Sequence, residues 1–330
     1  MNDRTAPWDI PEVDFYSPDF IPPQDNSINK HILNSPKNIY NYLSERCYGQ
    51  EEYKKALSIF VYRALQGIQS GKVMLVSSPS GTGKTYMATV LSELFDPQHV
   101  AITDCSGMVA TGYRSGNYVT TPLTQFATIT DDKPCFVFYD EWDKLLYKSN
   151  NAWQETNLIS EFLKITDSHS TKISINTDEK KPISIDSKRI FYIFLGSFSD
   201  ISSRMQKSKP IGFNADIGSS GSGLHTQVTK EQILELLPPE LQGRISKIIT
   251  VPSMTEQDFV TMFKDPRYNP ASQLARELGI SITVSTKRMR QFAKYAFESG
   301  TGVRGVRNAI LEEVDKAFFA NPNMPGIYIK

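Results

Sequence analysis

The chain has 330 residues, and its 36 lysines and arginines balance 36 aspartates and glutamates, so its formal net charge is zero. This balance excludes a general electrostatic attraction to nucleic acids or anionic membranes, and only a local basic patch stays open. The three cysteines lie far apart without a Cys-x-x-Cys pair, which indicates neither a zinc site nor a disulfide framework and favours a reducing, cytoplasmic setting. No apolar run has the length of a membrane span, and we expect no secretory signal peptide at the N-terminus.

The first 34 residues predict a non-globular arm. Residues 1–34 combine prolines and aspartates with the aromatic side chains of Trp8, Phe15, Tyr16 and Phe20. Two interpretations stay open: a disordered tail, or a tail whose aromatic residues dock on a neighbouring subunit or partner.

Residues 35–64 predict two helices. The Ser-Pro pair at 35–36 is a helix start signal, and a second helix follows Gly49. Tyr48 lies between the two helices. We expect its ring either to lie over an adenine base or to pack in the core.

A phosphate-binding loop is predicted at 78–85, between the apolar run at 73–77 and a helical pattern. Backbone N–H groups of such a loop and the positive end of the following helix attract phosphate oxygens, and glycines let the backbone approach closely. Lys84 is expected to reach the β- and γ-phosphates, and Thr85 is expected to hold Mg²⁺. The residues expected to bind nucleotide here are Ser80, Gly81, Thr82, Gly83, Lys84 and Thr85.

Apolar runs of strand length alternate with helical patterns in the following region. The predicted strands cover 100–103, 135–139, 189–195 and 248–251, and the predicted helices include 157–164 and 229–237. Buried strands that alternate with helices indicate an α/β domain with a parallel sheet, in which ligands bind at the carboxyl ends of the strands. Two further alternating runs within 172–188 surround a charged turn and predict an exposed hairpin.

The pattern changes at residue 253, after which helices accompany one short strand at 280–284. We therefore place a domain boundary near Pro252. The expected organisation is an arm at 1–34, a large α/β nucleotide-binding domain at 35–252 and a smaller α-rich domain at 253–330.

Polar residues follow two of the predicted strands directly. Asp140 is expected to hold a water molecule of Mg²⁺, and Glu141 is expected to orient and polarise the attacking water. Ser197 follows a later strand and would hold that water or the γ-phosphate from the other side. Each residue also has a simpler interpretation, because acidic pairs cap helices and serines are common in turns.

Two arginines are candidates for binding the γ-phosphate. Arg244 ends the segment Leu-Pro-Pro-Glu-Leu-Gln-Gly-Arg at 237–244, and Arg304 follows Thr-Gly-Val at the start of the last long helix. Planar, permanently charged guanidinium groups stabilise the γ-phosphate as its charge shifts in the transition state. Taken alone, either residue is more often a surface arginine.

Taken in order, these motifs resemble the AAA+ ATPases of the ClpX and HslU unfoldase group over roughly residues 35–320. The resemblance implies a P-loop NTPase large domain with a parallel sheet, followed by a smaller, mostly helical lid domain. The similar segments are the nucleotide-pocket helices at 35–62, the Walker B segment at 139–144, the sensor 1 turn at 196–198, the arginine-finger box at 237–244 and sensor 2 at 302–304.

The resemblance also implies the cofactors and the assembly. ATP and Mg²⁺ are the expected cofactors, and Arg244 is expected to act on the nucleotide of the neighbouring subunit. This arrangement implies a ring, expected to be a homo-hexamer. One nucleotide is expected to be served by Lys84, Thr85, Asp140, Glu141, Ser197 and Arg304. Tyr48 is expected to contact its adenine base.

The segment Gly-Tyr-Arg-Ser-Gly at 112–116 is similar to the pore loop of this group. The resemblance implies that Tyr113 and Arg114 contact a substrate polypeptide. The alternative for Tyr113 is an ordinary packed side chain, although its position between glycines suits a mobile paddle.

Ile211, Gly212 and Phe213 match the tripeptide with which ClpX docks on its peptidase ring, ClpP. An apolar tip on a loop suits a hydrophobic pocket of a partner. The resemblance therefore implies a ClpP-like peptidase as a partner.

The chain departs from the pattern of the group in several places. Ser78 stands where the phosphate loop usually begins with glycine, and Arg114 stands where the pore loop usually has an aliphatic residue. The predicted hairpin at 172–188 replaces the Arg-Lys-His loop of the pore entrance, and the cysteine pairs of the N-terminal zinc module are missing. The resemblance therefore implies no particular substrate.

Three functions are consistent with these residues. The first is an ATP-driven unfoldase and translocase that threads polypeptide through a ring pore, feeding a peptidase. The second is an AAA+ protein that remodels nucleic acid, against which the neutral charge balance argues. The third is an ATP-binding adaptor subunit that hardly hydrolyses ATP, an idea that Ser78 and the altered pore loop favour and the complete ATPase residue set opposes.

Overall fold

The fold is given by a computed structural model, which describes residues 26–110, 117–146, 152–167, 172–175, 183–199, 201 and 228–330. Of residues 26–28 and 152–157 only the backbone is described. The described residues form two compact units. The larger unit contains described residues of 26–79 and 84–253, and the smaller unit contains 80–83 and 254–330.

The larger unit begins with three helices, α1 (Asn26–Ile32), α2 (Pro36–Arg46) and α3 (Glu51–Leu65). The side chain of Ser35 accepts a hydrogen bond from the Asn38 backbone N–H at 3.1 Å, so α2 begins where the Ser-Pro signal predicted. Helix α1 lies inside the stretch that we expected to be a non-globular arm. The end of that arm is therefore helical, which its proline-containing sequence did not indicate.

Seven strands are described in the larger unit: β1 (Val73–Ser77), β2 (Val100–Asp104), β3 (Cys135–Asp140), β4 (Lys172–Ile175), β5 (Ile183–Asp186), β6 (Ile190–Gly196) and β7 (Lys247–Thr250). Five of them form a sheet in the order β2-β3-β6-β1-β7, and all neighbours in it are parallel. The predicted α/β fold with a parallel sheet is confirmed. Because the strands are parallel, β1, β3 and β6 end at the same edge of the sheet.

The side chains of the sheet alternate between two apolar layers. Val73 and Leu75 of β1 pack in one layer, whereas Met74 and Val76 pack in the other. This alternation is the period-two geometry of a strand that is covered on both faces. Helices α2 and α3 cover one face, and together with the buried runs they fix the strand ends where the site residues lie.

Strands β4 and β5 form the antiparallel hairpin that the alternating runs predicted. The prediction that this hairpin is exposed is confirmed for one face and wrong for the other. Ile173, Ile175 and Ile185 are buried in the layer around Trp142, while the serines between them face solvent. A period-two pattern shows that one face is apolar but does not show what covers it.

The remaining helices of the larger unit flank the sheet. They are α4 (Lys84–Ser92), α5 (Ala152–Ile165), α6 (Lys230–Leu236) and α7 (Pro239–Gln242). Short 3-10 helices cover Pro97–His99, Thr121–Thr128, Trp142–Leu146 and Ser187–Arg189. Thr229 and Gln232 form a capping box at the start of α6.

The smaller unit contains α8 (Glu256–Lys264), α9 (Pro270–Leu278), β8 (Ser281–Val284), α10 (Thr286–Ser299), α11 (Gly302–Ala320) and β9 (Gly326–Ile329). Strand β8 was predicted, whereas β9, which pairs with it in parallel, was not. The chain passes from the larger unit to the smaller one between Ser253 and Met254. No helix among the described residues combines the length and apolarity that a membrane crossing requires.

Candidate nucleotide site

The predicted phosphate loop and the turn at Ser197 leave adjacent strands side by side. Ser77, the last residue of β1, is the register partner of Gly196, the last residue of β6. The next residue of the phosphate loop continues this contact, because the Ser78 N–H donates to the Gly196 carbonyl at 2.9 Å. The sheet therefore brings the loop at 78–85 and the turn at Ser197 to one place, as the sequence predicted.

Ser78, the departure at the first loop position, is fully buried. Its carbonyl accepts a hydrogen bond from Lys84 Nζ at 3.2 Å. Helix α4 begins at Lys84, so the positive end of the helix lies at the loop. The backbone of Ser78 thus takes part in the loop, and its side chain packs inside it.

The tip of the phosphate loop belongs to the smaller unit. Gly81 and Gly83 have φ angles of 74° and 90°, which favour glycine. The Val303 N–H donates to the Gly81 carbonyl at 3.1 Å, and a Cβ on Gly81 would lie 2.2 Å from the Thr301 carbonyl oxygen. Ser80 is exposed and Thr82 is buried. A backbone this close to its neighbour accepts only glycine at position 81.

Thr85 and Asp140 form the direct contact between the phosphate loop and strand β3. Thr85 Oγ1 donates a hydrogen bond to Asp140 Oδ2, and the Glu141 N–H donates to Asp140 Oδ1 at 2.9 Å. A hydroxyl beside a carboxylate supplies the hard oxygen ligands that Mg²⁺ prefers. Among the described residues no group of three or more His, Cys, Asp or Glu side chains could hold a metal ion. The Thr85 hydroxyl and the Asp140 carboxylate fit Mg²⁺ that is held by few protein groups and by phosphates.

Glu141 is exposed and has a φ of 54°, in the left-handed region. For a residue with a side chain this conformation costs roughly 1–2 kcal/mol. Such strain is concentrated at functional sites, where the surroundings hold it in place. The conformation is consistent with the predicted role of Glu141 beside the metal.

Ser197 contacts a carboxylate to which the sequence assigned no role. Its Oγ donates to Asp143 Oδ2 at 3.2 Å, and the same oxygen accepts the Phe198 N–H at 2.7 Å. Asp143 is buried two residues after Glu141. The nearness of Asp143 to the acidic pair is visible in the sequence, but its contact with the turn that follows β6 is not.

Arg244 follows α7 and is partly exposed. Its Nη1 lies 2.8 Å from Asp167 Oδ1 and 3.4 Å from the Thr166 carbonyl oxygen. Within the described residues these are the hydrogen-bond partners of its side chain, and neither belongs to the predicted phosphate loop or to the ends of β3 and β6. Arg304 lies exposed in the first turn of α11, in the smaller unit. The roles of both arginines stay predictions.

Tyr48 is half-buried between α2 and α3. The next two residues, Gly49 and Gln50, both have positive φ angles, of 61° and 57°. The chain therefore makes a sharp turn at this position before α3. Both interpretations of Tyr48, as a contact of the base and as a core residue, stay open.

The two predicted partner loops lie outside the described residues. Tyr113 and Arg114 belong to 111–116, and Ile211, Gly212 and Phe213 belong to 202–227. Their roles stay predictions.

The segments that flank 111–116 are described, and they are attached to strand β3. Before the loop, the Cys105 N–H donates to the Asp140 carbonyl at 2.8 Å. After the loop, the buried Tyr139 hydroxyl donates to the Val119 carbonyl at 2.7 Å. The base of the predicted pore loop is thus bonded to the strand that ends in the acidic pair.

The cysteines supply no nucleophile for this site. All three thiols are buried. Burial raises the pKa of Cys135 to about 11 and that of Cys47 to about 12, so both stay protonated near neutral pH. The arrangement therefore supports phosphate and metal chemistry through oxygen and nitrogen groups.

Comparison with known proteins shows a family match and similarity to a curated relative. Residues 74–209 match the family described as ATPase family associated with various cellular activities (AAA). The chain is 25% identical over 326 residues to the ATP-dependent Clp protease ATP-binding subunit ClpX of Treponema denticola, an alignment that covers 88% of this chain and 78% of that protein. The AAA match contains the phosphate loop, Asp140, Glu141 and Ser197, whereas Arg244 and Arg304 lie beyond its end.

Proposed function

The chain is a divergent, ClpX-like AAA+ ATPase, and from this premise we propose that it is an ATP-driven protein unfoldase that works as a ring. The observation that carries the proposal is the contact of Thr85 with Asp140 at the sheet edge where β1, β3 and β6 end. This contact joins the hydroxyl and the carboxylate that we propose as metal ligands, and they lie next to Lys84 and Glu141 in the chain.

ATP hydrolysis by these residues needs positioning and charge stabilisation rather than covalent chemistry. Lys84 and the loop N–H groups would bind the phosphates, and Thr85 and Asp140 would hold Mg²⁺. When bound, Mg²⁺ supplies positive charge that neutralises the phosphate oxygens. Glu141 would orient the attacking water. These residues account for hydrolysis within one subunit except for the arginine that the transition state requires.

We propose that the missing arginine comes from the neighbouring subunit. Arg244 is bonded to Asp167 and Thr166 of its own chain, which supports a role outside its own nucleotide site. An arginine that acts in trans requires assembled subunits, and a homo-hexameric ring is the assembly that the resemblance implies. Arg304 would bind the nucleotide of its own subunit as sensor 2.

We propose that the two predicted partner loops couple ATP hydrolysis to a polypeptide substrate. Tyr113 and Arg114 would grip the substrate in the pore, and the Ile211, Gly212 and Phe213 tripeptide would dock on a ClpP-like peptidase. The bonds of Cys105 and Tyr139 to the flanks of the first loop support a mechanical connection between nucleotide and pore.

The proposal is tested first by phosphate release from ATP over a range of protein concentrations, with Glu141→Gln as the control. We expect specific activity that rises steeply with concentration, because each site needs Arg244 of a neighbour, and that disappears in the control. ATP binding without hydrolysis at any concentration would contradict the ATPase proposal and favour the adaptor function.

The threading step is tested with unfolded casein as the probe. We expect casein to stimulate ATP hydrolysis in the wild type and in Tyr113→Phe, which keeps the ring, but not in Tyr113→Ala. Equal stimulation of all three proteins would contradict the role of the pore loop while leaving the ATPase function intact. Binding of a ClpP-like peptidase, compared between the wild type and Phe213→Ala, tests the docking loop separately.

A further inference from the structure

Asp143 is a buried carboxylate that links the two strand-end turns of the nucleotide site. Only 1% of the residue is exposed. Its Oδ2 accepts hydrogen bonds from the Phe198 N–H at 2.7 Å and from Ser197 Oγ at 3.2 Å. In the part of the chain that the structure describes, Oδ1 has no hydrogen-bond partner. A buried, incompletely bonded carboxylate is costly, so its presence here is better explained by the site than by stability.

Packing holds Asp143 against the end of β6. The ring of Trp142, the preceding residue, stacks on Phe194 of β6 with 4.7 Å between centroids and 2° between planes. On the other side, a Cβ on Gly196 would lie 2.9 Å from Asp143 Cβ. The carboxylate therefore has little freedom to move relative to the sensor 1 turn.

Two strained residues flank this carboxylate. Glu141 and Phe198 have φ angles of 54° and 51°, so both turns adopt left-handed backbone at a residue with a side chain. Such conformations persist only where the surroundings over-determine them. Asp143 contributes to that restraint directly, since it accepts the N–H of Phe198.

The direction of the Ser197 hydrogen bond determines what its oxygen offers to the nucleotide. A serine hydroxyl has one proton to donate, and here that proton points to a carboxylate, which only accepts. Ser199 Oγ lies farther away, at 3.4 Å, and is uncharged. The lone pairs of Ser197 Oγ are left for a donor. Phosphate oxygens accept but do not donate, whereas a water molecule donates.

We propose that Asp143 is a positioning residue for ATP hydrolysis. It takes the proton of the Ser197 hydroxyl, so that Ser197 accepts a hydrogen bond from the attacking water rather than donating one to the γ-phosphate. It also fixes the Ser197 turn relative to Glu141, so the water is held from two sides. This inference rests on the proposed ATPase function and adds a residue to its mechanism.

The test compares the full-length wild type with Asp143→Leu, which fills a similar volume without an acceptor, and with Asp143→Asn, which keeps one acceptor oxygen. We expect kcat for ATP to fall about 10- to 100-fold in Asp143→Leu, with KM changed by less than about threefold, and to recover in part in Asp143→Asn. Ser197→Ala removes the other partner of the Asp143–Ser197 hydrogen bond. Because Ser197 is only half-buried, this variant replaces Asp143→Leu in the test if Asp143→Leu does not fold.

A double-mutant cycle separates positioning from general damage. Because both residues act through one hydrogen bond, Asp143→Leu combined with Ser197→Ala should hydrolyse ATP no more slowly than the slower single variant. The proposal would be overturned if the reductions in kcat of the two single variants multiply in the double variant. It would also be overturned if kcat of Asp143→Leu or of Ser197→Ala stays within about twofold of the wild type.

A readout without ATP hydrolysis distinguishes this inference from the proposed function. We expect the Phe198 amide to exchange with deuterium faster in Asp143→Leu than in the wild type, because it loses its acceptor. Unchanged exchange would overturn the positioning role even if the wild type hydrolyses ATP. A wild type that only binds ATP would contradict the proposed function, and with it the catalytic part of this inference.

Discussion

Arg244 and Asp167 form an ion pair within one chain, with 2.8 Å between Nη1 and Oδ1. Both side chains are about one-third exposed, at 31% and 35%. At such positions an ion pair contributes about 1 kcal/mol or less. This contact is therefore weak enough to be exchanged for the phosphate of a neighbouring subunit, and we interpret it as the resting position of an arginine that acts in trans.

Arg244→Ala is expected to lower ATP hydrolysis by about 10³-fold or more, with ATP binding retained, because an arginine finger acts in the transition state. Arg244→Lys should recover little, since lysine lacks the planar pair of donors. The measurement is steady-state phosphate release beside equilibrium binding of ATP.

Mixing experiments decide whether Arg244 acts in trans. Arg244→Ala and Glu141→Gln should each be inactive alone. In mixed rings, a Glu141→Gln subunit would supply Arg244 to a neighbour whose Glu141 is intact, so activity should return. Mixtures that stay inactive would mean that Arg244 serves its own subunit or none.

Thr85→Ala is expected to raise the Mg²⁺ concentration for half-maximal hydrolysis about 10- to 100-fold, because the hydroxyl that contacts Asp140 is a metal ligand in the proposed site. Thr85→Ser keeps the hydroxyl and is the matched control. The measurement is phosphate release during titration with magnesium chloride at fixed ATP. An unchanged Mg²⁺ requirement in the alanine variant would contradict this ligand assignment.

Gly196→Ala is expected to lower the free energy of unfolding by about 1–3 kcal/mol, since the added methyl group overpacks the site. Its Cβ would lie 2.8 Å from Phe198 Cε2 and 2.9 Å from Asp143 Cβ. Gly107→Ala is the control, because nothing lies within 4 Å of a Cβ at that position. The midpoint of urea unfolding should fall for the first variant and stay near the wild type for the second. Equal midpoints for the two variants would show that the turn at Ser197 shifts to accommodate the added methyl group at little cost.

Glu277 in the smaller unit is expected to make a pH-dependent contribution to stability. The Arg307 guanidinium donates to its carboxylate, with 2.9 Å between Nη1 and Oε1, and holds the pKa of Glu277 below its usual 4.5. A lowered folded-state pKa stabilises the fold above 4.5, and this stabilisation is lost as the pH falls through the folded-state pKa.

Because Glu277 and Arg307 are 53% and 37% exposed, Glu277→Gln should cost about 1 kcal/mol or less near neutral pH and nothing in strong acid. Urea unfolding as a function of pH measures this difference. Glu298→Gln, on an exposed pair with 3.7 Å between Lys294 Nζ and Glu298 Oε1, is the control. A difference that persists in acid would mean that Glu277 acts through packing rather than charge.

The parallel sheet and the phosphate loop could be predicted because their signals are local. Residues 73–76 of the buried strand are all apolar, and the glycines and Lys84 of the loop follow a few residues later. Asp140 and Glu141 were identified in the same way, by their place at the end of a buried strand. These features depend on neighbours in the chain, which the sequence displays.

Other features depend on partners that are distant in the chain. Asp143 meets a turn more than fifty positions later, and nothing in its own segment indicates that turn. Strand β9 forms by pairing with β8, which lies far earlier in the chain, and the buried face of the β4–β5 hairpin needs the layer around Trp142. Pairing of this kind depends on tertiary packing, which overrides local propensity.

The two bonds at the base of the predicted pore loop have a consequence for how force acts on this protein. Residues 111–116 connect segments that are fastened to Tyr139 and Asp140 through Val119 and Cys105. In the proposed unfoldase, tension from a resisting polypeptide would therefore pull on the strand that carries the metal-binding carboxylate. Mechanical load on the loop would then reach the nucleotide site through this strand, so the rate of ATP hydrolysis would depend on how strongly the polypeptide resists.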